Sequence, residues 1–306
     1  MNERNRLIKA FKHPEWLFGA ILRRTIGPYM NDLSFIKWEY FSGMAKFPNL
    51  KEPQTYNEKL QWLKLNDIHP EYAKLVDKYT AKEYVRRIIG DEYLIPTLGI
   101  WERFEEIDFE MLPNRFVLKT THDSGGVVVV PDKTNLDKKK AKKKLEKSLR
   151  NNYFLQHREY PYKTIKPRII AEQFITDECG EELKDYKFFC FNGKCKMLFV
   201  ASDRSIGDVK FDFFDTDFNH LPFKQGHPWA TREIKKPAGF EKMIKLSEKL
   251  AQGFPHLRVD LYDINGKIYF GELTFFHFSG NVPFEPEVWD KKIGDWLILP
   301  DNKFLR

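Results

Sequence analysis

Asp260 and Glu272 stand at the ends of two β-rich runs joined by Asn265-Gly266, within the stretch Arg258 to Thr274. That dipeptide between two such runs is a strong hairpin signal. The turn type decides the chemistry. A two-residue loop pairs Ile264 with Lys267, sets Asp260 against Gly271, and sends Glu272 to the other side of the sheet. A three-residue loop, Ile264-Asn265-Gly266, pairs Asp263 with Lys267 instead. Arg258, Asp260, Glu272 and Thr274 then share one face, while Val259, Leu261 and Leu273 form an apolar opposite face. This clean division favours the three-residue loop. Two carboxylates on one face of adjacent strands can hold a hard cation, and Mg²⁺ takes one or two carboxylates together with phosphate oxygens and water. The plainer alternative is an exposed face with an Arg–acid pair of little worth.

A second chemical candidate is Arg115 to Val130, which reads strand, polar glycine loop, strand. Ser124, Gly125 and Gly126 would let backbone amides approach phosphate oxygens, with Lys119 as a point charge. No GxxxxGK[ST] pattern is present, so this is not a Walker A loop. A third candidate, Asp185 to Val200, is another Asn-Gly hairpin. Asp185 and Lys187 project to one face, and Arg204 follows at the far end of the return strand. Cys190 and Cys195 fall opposite each other if that loop has two residues, and they read as reduced packing residues. The histidines are scattered and form no HExxH. His122 and His277 read as loop or structural residues.

These residues need a scaffold. Positions 1–75 read as helices, with Thr55-x-x-Glu58 as a capping box opening the helix Tyr56–Leu65. Positions 76–182 mix a helix at Ala81–Ile89 with short strands at Arg115–Thr120, Val127–Val130 and Arg168–Phe174. Positions 183–306 carry the two hairpins, a Phe-rich stretch, the helix Phe240–Gln252 and a Pro-containing tail. The result is an α+β chain with three differently textured regions. Three cysteines in 306 residues exclude a disulfide framework, and no apolar run is long enough to span a bilayer. With no leader pattern at the N-terminus, a reducing cytoplasm is the expected compartment. The net charge of +7 fits an anionic partner or plain solubility. Much of it sits in Lys138 to Lys147, read as a solvated amphipathic helix. No aromatics interleave with the run, so nucleic acid is not expected as a partner.

The serial order of several segments resembles the ATP-grasp superfamily, in particular its TupA-like branch from bacterial cell-surface polysaccharide loci. The segments are Tyr-Asn-Glu-Lys-Leu-Gln-Trp-Leu-Lys (56–64), Asp-Lys-Tyr (77–79), Tyr-Leu-Ile-Pro (93–96), Asp-Tyr-Lys-Phe-Phe-Cys-Phe-Asn-Gly-Lys (185–194) and Gly-Glu-Leu-Thr-Phe (271–275). The resemblance implies an ATP cleft between two α+β lobes. It implies that Lys78 and Lys119 contact phosphate and that Asp123 to Gly126 is the mobile glycine loop. Glu172 and the backbone of Gln173 and Ile175 would read adenine, and Asp185 would hold ribose. Lys187 and Arg204 would neutralise transferred phosphate, and Asp260 and Glu272 would bind Mg²⁺. The family often has Asn as a further metal ligand two residues after the second acid. Thr274 occupies that position here, and the Pro-Gly that usually follows is replaced by Phe-His-Phe-Ser-Gly.

The activity implied is an ADP-forming ligase. It would join an amino acid or small amine to a uronic-acid or peptide carboxylate of a surface glycan, with peripheral membrane association as one setting. A glycosyltransferase using Asp215-Thr-Asp217, a kinase and a non-catalytic nucleotide-binding module are the rivals.

Overall fold

The computed structural model describes residues 14–301, apart from 124, 177–182, 204–206 and 208. Its helices are α1 (Pro14–Arg24), α2 (Asp32–Met44), α3 (Tyr56–Asn66), α4 (Tyr72–Val76), α5 (Ala81–Ile88), α6 (Lys138–Leu149), α7 (Tyr153–His157), α8 (Phe240–Leu250) and α9 (Val288–Gly294). The strands are β1 (Thr97–Trp101), β2 (Phe116–Thr120), β3 (Val127–Val130), β4 (Ile169–Gln173), β5 (Asp185–Phe191), β6 (Lys194–Ser202), β7 (Lys210–Asp215), β8 (Lys224–Gln225), β9 (His256–Ile264), β10 (Lys267–Thr274) and β11 (Phe284–Glu285). They form a four-stranded sheet in the order β1-β4-β2-β3, a five-stranded sheet β10-β9-β5-β6-β7, and a small pair β11-β8. All the pairings are antiparallel. The architecture is α+β, as the sequence predicts.

The smaller sheet has a core of its own. Phe116, Leu118 and Thr120 alternate inward along β2, and Ala141 and Leu145 of α6 pack beneath them with Phe104 and Phe109. The Lys-rich run is therefore a helix with a solvated face and a short apolar stripe, as expected. The larger sheet is covered on both sides, and every residue of β5 is buried. Helix α8 lays Phe240, Met243, Leu246 and Leu250 on one face, with the Phe188 and Phe240 rings 6.2 Å apart. Helix α3 reaches the same core through Tyr56, Leu60 and Leu63. It begins at the predicted capping box, with both Thr55 and Glu58 bonds formed.

Two readings change. The hairpin β9–β10 has the two-residue loop, not the preferred three-residue one: Lys267 pairs with Ile264, and Asn265 and Gly266 both take positive φ, 53° and 84°. Two successive left-handed residues match the right-handed twist of the strands. The register then shifts between Phe270 and Glu272, so that Glu272 faces Asp260 and Thr274 faces Arg258. A bulge at Gly271 absorbs the odd residue. The shared polar face survives for a different reason from the one the turn suggested. The second change is in the Phe-rich stretch, which contains β7 as an outer strand of the large sheet. Strand β1, at an edge of the small sheet, was also not predicted. The loop between β5 and β6 has two residues, and Cys190 pairs with Cys195 in register; both are buried free thiols.

Candidate active site

Strands β5, β9 and β10 run side by side and put their polar residues on one face. Lys187 of β5 lies opposite Asp260 of β9, which in turn lies opposite Glu272 of β10. The centre of the group is Arg258, two residues before Asp260 and so on the same face. Its Nε and Nη2 donate to the two Asp260 oxygens at 2.7 and 2.8 Å. Nη2 also reaches Glu272 Oε1 at 3.1 Å and Thr274 Oγ1 at 3.0 Å, and Nη1 donates to His277 Nδ1 at 2.9 Å. This bidentate fork gives both direction and strength. Lys187 Nζ bridges Asp185, at 2.7 Å, and Asp260.

Three carboxylates thus meet two cations. Burial raises the Asp260 carboxyl, with Arg258 and Lys187 opposing that rise. Burial also works against the charged form of Glu272, yet Lys78, Lys187 and Arg258 together hold its carboxyl at about 2. Glu272 remains ionised, with its side chain 33% exposed. With the Lys78 charge counted, three carboxylates balance three cations, and among the described residues no group of three or more His, Cys, Asp or Glu side chains could hold a metal ion. Glu272 and Asp260 are the oxygen donors that could take part in holding a phosphate-bound divalent ion. Asp260 has both oxygens engaged already, and the Thr274 hydroxyl accepts from Arg258, so Glu272 is the most accessible donor. His277 is kept neutral by burial and by the neighbouring Arg258 charge.

Lys78 ties this group to the glycine loop. Its ammonium donates to the Asp123 carbonyl while its charge acts on Glu272. The Lys78 amide also bonds Thr121 O at 3.0 Å. The loop is anchored at its base. Asp123 accepts from Thr120, from Ser148 of α6 and from the Gly126 amide. A Cβ on Gly126 would lie 2.0 Å from Thr120 Oγ1 and 2.3 Å from Ser148 Oγ, whereas one on Gly125 would meet no atom closer than 3.8 Å.

On the small sheet, Glu172 of β4 is buried between two lysines. Its oxygens lie 2.5 Å from Lys82 Nζ and 2.7 Å from Lys119 Nζ. Burial opposes its charge, but these lysines hold the carboxyl below its ordinary value. Lys82 donates further to Ile95 O and Thr97 Oγ1. The Gln173 amide is bonded to Pro96 O at 3.0 Å, and Ile175 lies just past the strand end. Asp185 is buried beside Lys187. Ser124 and Arg204 lie outside the described residues.

The sequence pattern marks no role for Lys82, and it places Asp123 in the glycine loop without showing that its side chain anchors that loop. Arg258 was legible as a member of the shared face, and its spacing from Asp260 was the available signal. His277 was set aside as structural, and it contacts Arg258. Asp215, the first acid of Asp215-Thr-Asp217, accepts from the Asp217 and Asn219 amides at 2.9 and 2.8 Å, so it closes a turn after β7.

Residues 58–298 match the family model described as TupA-like ATPgrasp. No curated protein matches the chain. Solved structures similar to it include a D-alanine–D-alanine ligase from Bacillus anthracis complexed with ATP (16% identity, TM-score 0.38, 66% of this chain and 54% of that one). Another is an N5-carboxyaminoimidazole synthase from Aspergillus clavatus (14%, 0.38, 67% and 46%). A third is the ATP-grasp ligase PsnB complexed with minimal precursor (9%, 0.40, 74% and 61%). The chain spans about half to three fifths of the length of these three proteins. The family match covers most of α3, the glycine loop and both hairpins, and so includes Lys78, Arg258, Asp260 and Glu272; the chain belongs to the TupA-like ATP-grasp family.

Proposed function

We propose that the chain is an ATP-dependent carboxylate–amine ligase that works with Mg²⁺ in the cytoplasm. Its acceptor is a uronic-acid or peptide carboxylate of a surface glycan or glycan precursor, and its nucleophile is an amino acid or small amine. The observation that carries the reading is the cluster of Arg258, Lys187, Asp260 and Glu272 on one sheet face, electrostatically joined through Lys78 to a glycine loop. Phosphoryl transfer asks for this combination of charge stabilisation and positioning.

An acceptor carboxylate oxygen attacks the γ-phosphorus of ATP, and the bond to ADP breaks. The amine then attacks the acyl carbon, a C–N bond forms, phosphate leaves and the amine loses a proton. Arg258 and Lys187 hold negative charge at the transferring group, while Lys78 and Lys119 face the phosphate chain. Mg²⁺, held by Glu272 and Asp260, would neutralise phosphate oxygens. Closing the glycine loop would exclude water from the activated acid. The kinase and the non-catalytic module use the same cleft. The glycosyltransferase reading loses its metal motif, because Asp215 is engaged in a turn. No helix among the described residues is long and apolar enough to cross a membrane. A peripheral association with membrane-linked glycan is compatible with this.

Purified protein supplied with ATP, Mg²⁺ and candidate pairs should release ADP when acid and amine are both present. AMP release, or absence of turnover with every acid, would overturn the reading. A stable phosphorylated product would mark a kinase.

A further inference from the structure

Half of the large apolar side chains exposed among the described residues fall between positions 18 and 47, among them Ile21, Ile26, Tyr29, Leu33 and Trp38. They belong to α1, α2 and the turn that joins them. The family match begins at residue 58, so the ligase reading gives this helix pair no task. Single apolar side chains at a surface need no explanation, whereas a contiguous patch does. This patch is held together by its own rings. Trp38 meets Phe18 at 5.5 Å and Phe47 at 5.0 Å, and Phe41 stacks on Phe47 at 5.0 Å. At the turn, Ile26 is 57% exposed and Tyr29 91%.

Helix α2 is apolar on two sides. Phe35, Ile36 and Tyr40 are buried beneath it, while Leu33, Trp38 and the half-buried Phe41 lie away from that core. A helix apolar all round suits apolar surroundings on every side. The charges around the outer side have one sign. Between positions 18 and 47 there are two acids, and both are engaged: Asp32 pairs with Arg158 at 3.0 Å, and the buried Glu39 pairs with Arg23 and His157. Arg24 and Lys37 are exposed and have no ion pair among the described residues. The sequence ahead of α1 adds Arg4, Arg6, Lys9 and Lys12 against the acid Glu3. A second copy placed on this face by two-fold symmetry would bring like charges together. Trp and Tyr rings among aliphatic side chains, flanked by unpaired Arg and Lys, match a different partner. Such rings settle at the headgroup level of a bilayer, aliphatic side chains enter the acyl boundary, and cations meet anionic lipid.

We propose that α1, α2 and their turn form a docking face for an anionic lipid bilayer. Ile26 and Tyr29 at the turn, with Ile21, Leu33 and Trp38 along the helices, enter the interface, and Arg24 and Lys37 lie against lipid phosphate. The proposal goes beyond the ligase reading and does not depend on its chemistry.

Sedimentation of the full chain with vesicles of mixed phosphatidylglycerol and phosphatidylcholine, and with vesicles of phosphatidylcholine alone, tests it in the absence of ATP. The mixed vesicles should bind roughly tenfold more tightly at low salt, and added salt should shrink the difference. Ile26→Ser with Tyr29→Ser should weaken binding to mixed vesicles roughly fivefold or more. Arg24→Gln with Lys37→Gln should do the same and remove most of the preference for anionic lipid. Tm and the Kd for ATP should be unchanged in both pairs; if the serine pair lowers Tm, the glutamine pair decides. The other strongly basic surface, on α6, serves as the control: Lys139→Gln, Lys143→Gln and Lys147→Gln together should weaken binding less than either pair. The proposal is overturned if mixed vesicles do not bind the parent, if both pairs bind like the parent, or if the α6 variant alone abolishes binding. It is equally overturned if the lipid-free parent is a dimer that the serine pair dissociates, since the face would then belong to a second copy. Vesicle binding lost in both pairs, without ADP release for any acid and amine, would keep the docking face and remove the ligase reading. ADP release from a parent that binds no vesicle would do the reverse.

Discussion

Arg258 is the residue on which the carboxylate cluster depends. Its guanidinium contacts Asp260, Glu272, Thr274 and His277 at once, and it is 8% exposed. Arg258→Met would leave Asp260 with Lys187 and Glu272 with the Lys78 and Lys187 charges, and removing one member of a buried charge pair costs about 3–5 kcal/mol. Urea unfolding should show that loss, and ADP release should fall by roughly a hundredfold or more, as for removal of a donor to developing charge. Arg258→Lys restores the charge without the fork; its stability should recover more than its turnover. Glu172 supplies a second test. If pairing with Lys82 and Lys119 is its main role, Glu172→Gln strands the buried Lys82 ammonium and the half-buried Lys119 ammonium and lowers Tm. If reading adenine were the main role, the KM for ATP would rise with Tm unchanged. We expect the fall in Tm. At this scale, residues close in sequence were legible: strand alternation alone put Asp185 with Lys187 and Arg258 with Asp260. The lysine Lys82 was not, because its acid lies on β4, far away along the chain. The reach of a strand arginine also cannot be known until its cross-strand neighbours are fixed.

Among the elements, the glycine loop separates two roles that sequence alone assigns jointly to Gly125 and Gly126. Gly126 sits where a methyl group would collide with Thr120 and Ser148, while the space beside Gly125 is open. Gly126→Ala should break the bonds that Asp123 makes to α6 and β2, raising the KM for ATP several-fold and reducing stability by about 1–3 kcal/mol, as overpacking does. Gly125→Ala should leave stability within about 0.5 kcal/mol. Any effect of Gly125→Ala on the KM for ATP would then report backbone approach to phosphate. Nucleotide titration with thermal unfolding on both variants distinguishes the cases. The elements themselves were largely readable. The capping box at Thr55, the positions of both Asn-Gly hairpins and the helical Lys run follow local rules and are legible, whereas the loop length at Asn265-Gly266 is two residues and not the expected three. The bulge at Gly271 and the strands β1 and β7 depend on cross-strand register and edge pairing, which a single strand's pattern does not encode.

Across the whole molecule, α3 is locked to the large sheet through His256, and this contact should set an acid limit on stability. Its Nδ1 lies 2.7 Å from Phe275 O and its Nε2 3.0 Å from the Tyr56 hydroxyl. The first bond makes Nδ1 the donor, so Nε2 accepts from Tyr56 and the ring is neutral. Phe189 and Phe191 surround it at 6.2 and 5.4 Å. Burial pushes its pKa down to about 4, against 6.5 for a free imidazole; the Phe275 carbonyl opposes the shift and the Arg258 charge adds to it. The unfolded chain therefore takes up this proton first. The stabilisation is complete above pH 6.5 and is lost as pH falls through 4, amounting to about 3 kcal/mol. The depressed carboxyls Glu39 and Glu172 withdraw their support lower down, beneath about pH 4.5. Glu159 and Asp290, raised by burial, act in the opposite sense because the folded state protonates them first. The parent curve is thus a composite, and the informative quantity is a difference. His256→Gln should be less stable than the parent at pH 7.5, and the gap should close by most of that amount between pH 6.5 and 4. A gap independent of pH would mean that His256 supports α3 by packing alone.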